Sequence, residues 1–228
     1  MLGASSDREE EDVDVLEAMR TQRSVKRFKP DPVSDDDIRT ILTAATWAPN
    51  GHNAQPWEFI VVKDPELKKQ LADLYREGLQ FLLDHPLRQG RREVDKRTFE
   101  KTMIRKSVYL RDHLEESPAL IVVAMNLEKH NLPRYGVLKA IRTEAVYTSI
   151  MPCVQNLMLA ARDLGLGTCL TTALNILEED AKIALEMPEE TQIIALIPLG
   201  YPADDFKPVT RIPAREFTHW DGWQGQND

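Results

Sequence analysis

Apolar positions along the chain switch between a helical and a strand period, and the switches predict the order of elements. Over 13–22, Val15, Leu16 and Met19 recur at helical spacing and predict a short amphipathic helix. That helix runs into Arg23-Ser24-Val25-Lys26-Arg27-Phe28, and Pro30 and Pro32 prevent its continuation. Ser34 is placed to cap a second helix, with Asp35, Asp36 and Asp37 in its first turn and Ile38, Ile41, Leu42 and Ala45 on its buried face. A strand is expected over 57–63. Asp64-Pro65 then starts a third helix, with an N-cap and a proline at the first helical position, running to about Leu83. Residues 119–126 are uninterruptedly apolar, as in strands buried on both faces. The longest apolar helical pattern covers 141–164 and stops at Gly165-Leu166-Gly167, read as a helix C-cap and tight turn. A short strand over 167–172, a helix over 177–186 and a buried strand over 193–200 complete the pattern. Beyond Tyr201 the chain is irregular, with Pro202, Pro208 and Pro213 ahead of Phe217, Trp220 and Trp223.

No repeat or linker divides this order, so 13–228 reads as one α+β domain behind an acidic, frayed tail over 1–12. The late aromatics need apolar surface to cover them, either on the same subunit or as an arm around a partner. With 228 residues, 42% hydrophobic and 29% charged, the chain is long enough for a substantial core. A formal charge of −8 argues against nonspecific nucleic-acid binding. Basic runs occur at 23–29 and 88–106; Glu93, Asp95 and Glu100 within the second make it a solvated helical face. Residues 85–116 are expected to form helices or a lid. No apolar run approaches the roughly 18 residues of a membrane span, and no signal-peptide pattern is present. Cys153 and Cys169 form no CxxC, and the scattered histidines lack zinc spacing. Both thiols read as small buried residues of a protein in a reducing cytoplasm.

The candidate chemistry concentrates in three places. Residues 48–57 crowd Pro49, Asn50, Gly51, His52, Asn53, Gln55 and Pro56 between a helix and a strand. Prolines stiffen such a loop, and Asn50, Asn53 and Gln55 offer donors and acceptors suited to a flat heterocycle. Arg23, Ser24 and Lys26 place a guanidinium, a hydroxyl and an ammonium at a chain bend, as a phosphate dianion requires. Thr171 and Thr172 set two hydroxyls at a strand end, and Arg211 stands alone in the tail. Each has an ordinary explanation too: a helix-to-strand connection, cations near a helix C-terminus, β-propensity, a surface arginine. Gly165-Leu166-Gly167 is not a dinucleotide loop, since it follows a helix and lacks a third glycine. There is no Walker A lysine loop and no nucleophile elbow.

In order and spacing, these stretches resemble the FMN-dependent nitroreductase family, which includes iodotyrosine deiodinase and flavin destructase relatives. The matching segments are 23–28, 48–57, Gln155-Asn156-Leu157-Met158 through Gly165-Leu166-Gly167-Thr168, Leu199-Gly200-Tyr201-Pro202, and Arg211-Ile212-Pro213. The resemblance implies a homodimer with two FMN sites at its interface. It implies a central antiparallel sheet flanked by helices and completed by a C-terminal extension exchanged between subunits. Arg23, Ser24 and Arg211 would then hold the FMN phosphate, with Lys26 near the flavin N1 and O2 edge. Pro49, Asn50 and Gly51 would approach from the other subunit, with Asn53 and Gln55 behind them. Leu170, Thr171 and Thr172 match a deiodinase-like segment in which a threonine hydroxyl lies near flavin N5. The implied activity is oxidation of NADH or NADPH and reduction of a nitroaromatic, quinone or similar small aromatic acceptor, with Lys26 and Thr172 as catalytic residues. The alternatives are reductive dehalogenation, or flavin storage or sensing with little turnover. Two residues depart from the family pattern: Gln22 stands where many members carry arginine, and Asn50 where serine is usual.

Overall fold

In this computed structural model, residues 13–85, 96–126 and 138–223 are described, with backbone alone for 96–104 and 138–146. The expected acidic tail over 1–12 lies outside the described residues, as does 86–95 of the proposed lid. Four strands make one sheet: β1 (Trp57–Val62), β2 (Ala119–Asn126), β3 (Gly167–Thr168) and β4 (Thr191–Gly200). Their order is β1-β2-β4-β3, and every neighbouring pair is antiparallel. Trp57 stands opposite Met125 and Ala119 opposite Leu199, with an irregularity between Val123 and Ala124.

The central position of β2 and β4 explains their unbroken apolar runs, because helices cover both faces. Along β2 the side chains alternate: Ile121 and Val123 join one core cluster, Leu120 and Val122 the other. On the first face lie α2 (Asp35–Thr46) and α5 (Leu138–Asp163), through Ile41, Ala45, Val154 and Leu157. On the second lie α3 (Pro65–Asp84), α4 (Lys96–His113) and α6 (Glu178–Ala184), through Leu71, Tyr75, Leu110 and Ala181. The remaining helix, α1 (Val15–Thr21), abuts α5. Ser34 and Asp64 cap as expected: Asp37 N–H donates to Ser34 Oγ at 3.0 Å and Leu67 N–H to Asp64 Oδ1 at 2.8 Å. Gly165, at φ +70°, ends α5. Leu166 N–H then donates to Ala161 O at 2.7 Å and Gly165 N–H to Arg162 O at 3.1 Å, the paired bonds of a left-handed C-cap.

The expected strand over 167–172 is shorter than its sequence implies. Only Gly167 and Thr168 pair continuously, and Thr171 makes a single bridge to Leu196. Thr172 has left extended geometry (φ −122°, ψ 8°) and leads into a tight helical turn over Ala173–Leu177. Threonine's β-propensity yields here to the buried turn that packs Ala173 and Leu174 against α3. After β4 the chain folds back antiparallel to 20–29. Lys29 N–H donates to Tyr201 O, Ala203 N–H to Arg27 O and Val209 N–H to Arg20 O, at 2.8, 3.0 and 2.9 Å. This strap leaves Ile212, Phe217, Trp220 and Trp223 exposed. No helix among the described residues is long and apolar enough to cross a membrane.

Candidate functional site

The segment after α1 reaches its position by pairing with β3. Ser24 bridges Thr168 in parallel, and Val25 N–H donates to Thr168 O at 2.8 Å. Gly167 makes this approach possible, since a Cβ there would meet Val25 Cβ at 2.8 Å. A cavity of about 610 Å³ opens beside the segment. Arg23, Ser24, Lys26 and Arg27 line one side, Arg105, Lys106 and Tyr109 of α4 another, and the strap residues 204–207 a third. Lys26 Nζ donates to Ser107 Oγ at 3.0 Å. Burial holds the Lys26 ammonium below its ordinary pKa; Cys169 draws it back up and Lys106 pushes it down again. The Cys169 thiol behind it is pushed up by burial, against the pull of Lys26 and a Ser24 hydrogen bond. Arg162 braces the strap, its Nε donating to Thr21 Oγ1 at 2.9 Å and its guanidinium lying 4.1 Å from the Phe206 ring centroid.

Of the residues singled out from sequence, the cavity gathers Arg23, Ser24 and Lys26. Arg211 is exposed, two residues beyond the Val209–Arg20 bond, and its Nη1 donates to Thr210 O at 2.9 Å. Leu170 packs against the core on the α2–α5 face. Thr171 Oγ1 donates to Tyr75 Oη at 3.4 Å, and burial pushes the Tyr75 phenol up to about 12. Thr172 is exposed at the start of its turn. Gln22, at the position of the family arginine, turns inward and places Nε2 3.6 Å from Met158 Sδ.

The loop over 48–57 does not line this chain's own cavity. Its shape is held from within: Gln55 N–H donates to Asn50 Oδ1 at 2.9 Å, and Asn50 Nδ2 to Ala48 O at 3.3 Å. The Asn50 carboxamide, expected to face a heterocycle, is therefore engaged in folding its own loop. Gly51 N–H donates to Ser149 Oγ of α5 at 3.1 Å. His52, Asn53 and Gln55 all take left-handed backbone, at φ 55°, 52° and 46°. Pro49, Gly51, Asn53 and Gln55 are exposed.

Sequence reasoning missed Arg105, Lys106, Ser107, Tyr109 and Lys207. The basic run over 88–106 was read as a solvated face, yet its last two cations line the cavity. Their signal was the absence of acidic partners after Glu100 in a run otherwise interspersed with them. Among the described residues, no cluster of three or more metal-binding side chains occurs.

Residues 19–201 match the family model described as Nitroreductase family. The chain belongs to the nitroreductase family. The match takes in the Arg23–Lys26 segment, the loop over 48–57 and the whole sheet; Arg211 and the aromatic tail lie beyond it. Among curated nitroreductase relatives, the chain is similar to the iodotyrosine deiodinase of Nematostella vectensis, 29% identical over 204 residues covering 87% of this chain and 72% of that protein. It is 30% identical over 190 residues to iodotyrosine deiodinase 1 of Mus musculus, covering 83% of this chain and 62% of that one. The chain thus spans about three fifths of the mouse protein's length. Solved structures share the fold. An iodotyrosine deiodinase bound to FMN and 3-iodo-L-tyrosine superposes with a TM-score of 0.68 at 23% identity, over 92% of this chain and 100% of that one. The NADPH:FMN oxidoreductase of Vibrio harveyi, complexed with NAD+, gives 0.68 at 20% identity, over 93% and 79%.

Proposed function

We propose that this chain is an FMN-dependent oxidoreductase that takes electrons from NADH or NADPH and passes them to nitroaromatic, quinone or similar flat acceptors. The observation that carries this reading is the convergence of Arg23, Ser24 and Lys26 on one cavity of about 610 Å³. That volume is within the range of cofactor pockets, and the donor set fits a phosphorylated ring. Arg23 and Ser24 offer a forked guanidinium and a hydroxyl to the phosphate. Arg211, two residues past the Val209–Arg20 bond and outside this cavity's lining, is assigned to the phosphate from the family resemblance. Lys26 contributes a half-buried ammonium, whose charge favours the more anionic, reduced form of a bound ring. Thr172 is assigned a hydrogen bond to the ring edge, with Leu170 and Thr171 setting its approach. When bound, FMN supplies the two-electron redox chemistry.

The same reading makes the active unit a homodimer. Pro49, Asn50, Gly51, Asn53 and Gln55 would wall the cavity of a second copy, and the tail would cross to that copy's surface. Exposed Ile212, Phe217, Trp220 and Trp223 support the exchange, because so much apolar surface needs a cover. The buried free thiols of Cys153 and Cys169 favour a cytoplasmic location.

Titration with FMN tests the proposal, followed by mixing with NADH or NADPH under anaerobic stopped flow. Failure to bind FMN removes the reading; binding without reduction by either nucleotide removes the donor assignment. The similarity to iodotyrosine deiodinases supports a second reading, reductive dehalogenation. Release of iodide from 3-iodo-L-tyrosine by dithionite-reduced protein, with no turnover of nitroaromatics or quinones, would favour it.

A further inference from the structure

The cavity carries more positive charge than one cofactor phosphate requires. Its lining holds Arg23, Lys26, Arg27, Arg105, Lys106 and Lys207 against Asp204 and Asp205, in a chain whose formal net charge is −8. Arg23 and Lys26 face the proposed FMN, and Arg27 lies 5.3 Å from the Tyr109 ring centroid. Arg105, Lys106 and Lys207 remain. None of the three has an ion-pair partner among the described residues. Lys106 also stands close enough to Lys26 for the two ammoniums to repel, which adds to the depression of Lys26. A pair of facing cations on a cavity wall is unfavourable until an anion enters between them. Field lines from such a wall concentrate in the cavity and draw anions inward.

We propose that Arg105 and Lys106 of α4, with Lys207 of the strap, form an anion-reading mouth that selects a carboxylate or phosphate on the molecule reacting with the cofactor. The proposal rests on the FMN reading above and deepens it by naming the substrate class. The anion has two candidate sources: the extra phosphate that distinguishes NADPH from NADH, or a carboxylate on the aromatic acceptor. Both present oxygen anions that a guanidinium and an ammonium bind through charge-assisted hydrogen bonds.

The test compares the wild type with the Arg105→Gln/Lys106→Gln double variant and with Lys207→Gln. Two substrate pairs are used, NADPH against NADH, and 4-nitrobenzoate against 4-nitrobenzyl alcohol. The FMN dissociation constant is followed in parallel by quenching of flavin fluorescence. The double variant is expected to raise KM for the more charged member of at least one pair by about tenfold, and for its counterpart less than twofold. Lys207→Gln shifts the same ratio in the same direction, while FMN affinity stays within twofold. An effect confined to NADPH assigns the anion to the donor; one confined to 4-nitrobenzoate assigns it to the acceptor. Lys106→Arg, which keeps the charge, retains the selectivity. Unchanged ratios in both pairs with FMN still bound overturn the proposal alone, as do equal losses for charged and neutral members. A wild type that binds no FMN overturns the parent reading and this one with it.

Discussion

Gly167→Ala joins the fold to the site most directly. A Cβ at this position would lie 2.8 Å from Val25 Cβ and Cγ2 and 2.9 Å from Cγ1, where ordinary contact starts near 3.4 Å. Val25, half-buried beside the cavity, and its backbone must therefore retreat by about 0.6 Å, a move resisted by the Val25–Thr168 hydrogen bond. Overpacking of this kind costs about 1–3 kcal/mol. In a chain of this size each kcal/mol lowers Tm by about 2–4 °C, so a fall of about 2–12 °C is expected. The displaced segment carries Ser24 and Lys26 on either side of Val25, and its Val25–Thr168 hydrogen bond is next to the clash. Losing the alignment of one charge-assisted contact weakens FMN binding by about tenfold or more. Thermal melting of the protein without added flavin gives the first quantity, and fluorescence titration with FMN the second. Val25→Ala in the same background gives only partial relief, because it removes both Cγ atoms but leaves the Cβ at 2.8 Å. A Gly167→Ala protein with unchanged Tm and unchanged FMN affinity would refute the claim that this glycine positions the segment proposed to bind phosphate.

Burial holds the Cys153 thiol up at about 12, so the folded chain keeps a proton that the unfolded chain releases above pH 9.0. Stability from this group is complete below pH 9 and declines by about 1.4 kcal/mol per pH unit as pH rises toward 12. Cys153→Ala should flatten the fall in urea midpoint between pH 9 and 10, before the Tyr75 phenol adds its own loss above 10; an unaltered slope would contradict the assignment. Arg211→Ala should weaken FMN binding about tenfold if the strap delivers this guanidinium to the phosphate, and unchanged affinity would remove Arg211 from the site. Truncation after Pro213 removes Phe217, Trp220 and Trp223; a dimer by light scattering that survives the truncation intact would eliminate the exchanged arm.

Most of the sheet and its helices were legible because their signals are local. Continuous apolar runs located β2 and β4, and the side chains of Ser34 and Asp64 marked two helix starts that the structure reproduces bond for bond. The stretch at Thr171 and Thr172 was not, since its conformation follows from Ala173 and Leu174 packing under α3 rather than from its own β-propensity. The Arg23–Ser24–Lys26 cluster proposed to bind phosphate was legible because three chemically distinct groups fall within four residues, and the structure brings them to one cavity. Arg105 and Lys106 were hidden by the opposite circumstance. They stand some eighty residues from Arg23, and only the packing of α4 against α3 turns that end of the helix toward the strap. Periodicity reports which face of a helix is polar, but says nothing about whether that face meets water or a cavity.

In the proposed dimer, the loop over 48–57 would tie the chemistry to assembly. Left-handed backbone at three non-glycine residues costs roughly 1–3 kcal/mol each, less at asparagine, and such strain persists where a particular shape is needed. Within one chain the loop does not line the cavity beside Arg23; it is pinned to α5 through Ser149, and Pro49, Gly51, His52, Asn53 and Gln55 are exposed while Ala48, Pro56 and Trp57 are buried. Around it the surface is apolar, with Trp47 70% exposed at one end and Tyr147 and Met151 of α5 exposed on either side of the Ser149 anchor. A second copy seated on this patch would bury those rings and receive the loop as a wall of its own flavin site. On this reading, dimerisation and FMN binding are one linked equilibrium: flavin that contacts both copies stabilises the pair over the separated chains in proportion to its differential affinity. The amide-rich loop then needs no direct hydrogen bond from Asn50 to the ring. Asn50 fixes the loop's curvature through Gln55 N–H and Ala48 O, and in the proposed dimer that curvature would present the backbone of Pro49 and Gly51 to the second copy, with asparagine standing where the family resemblance leads one to expect serine.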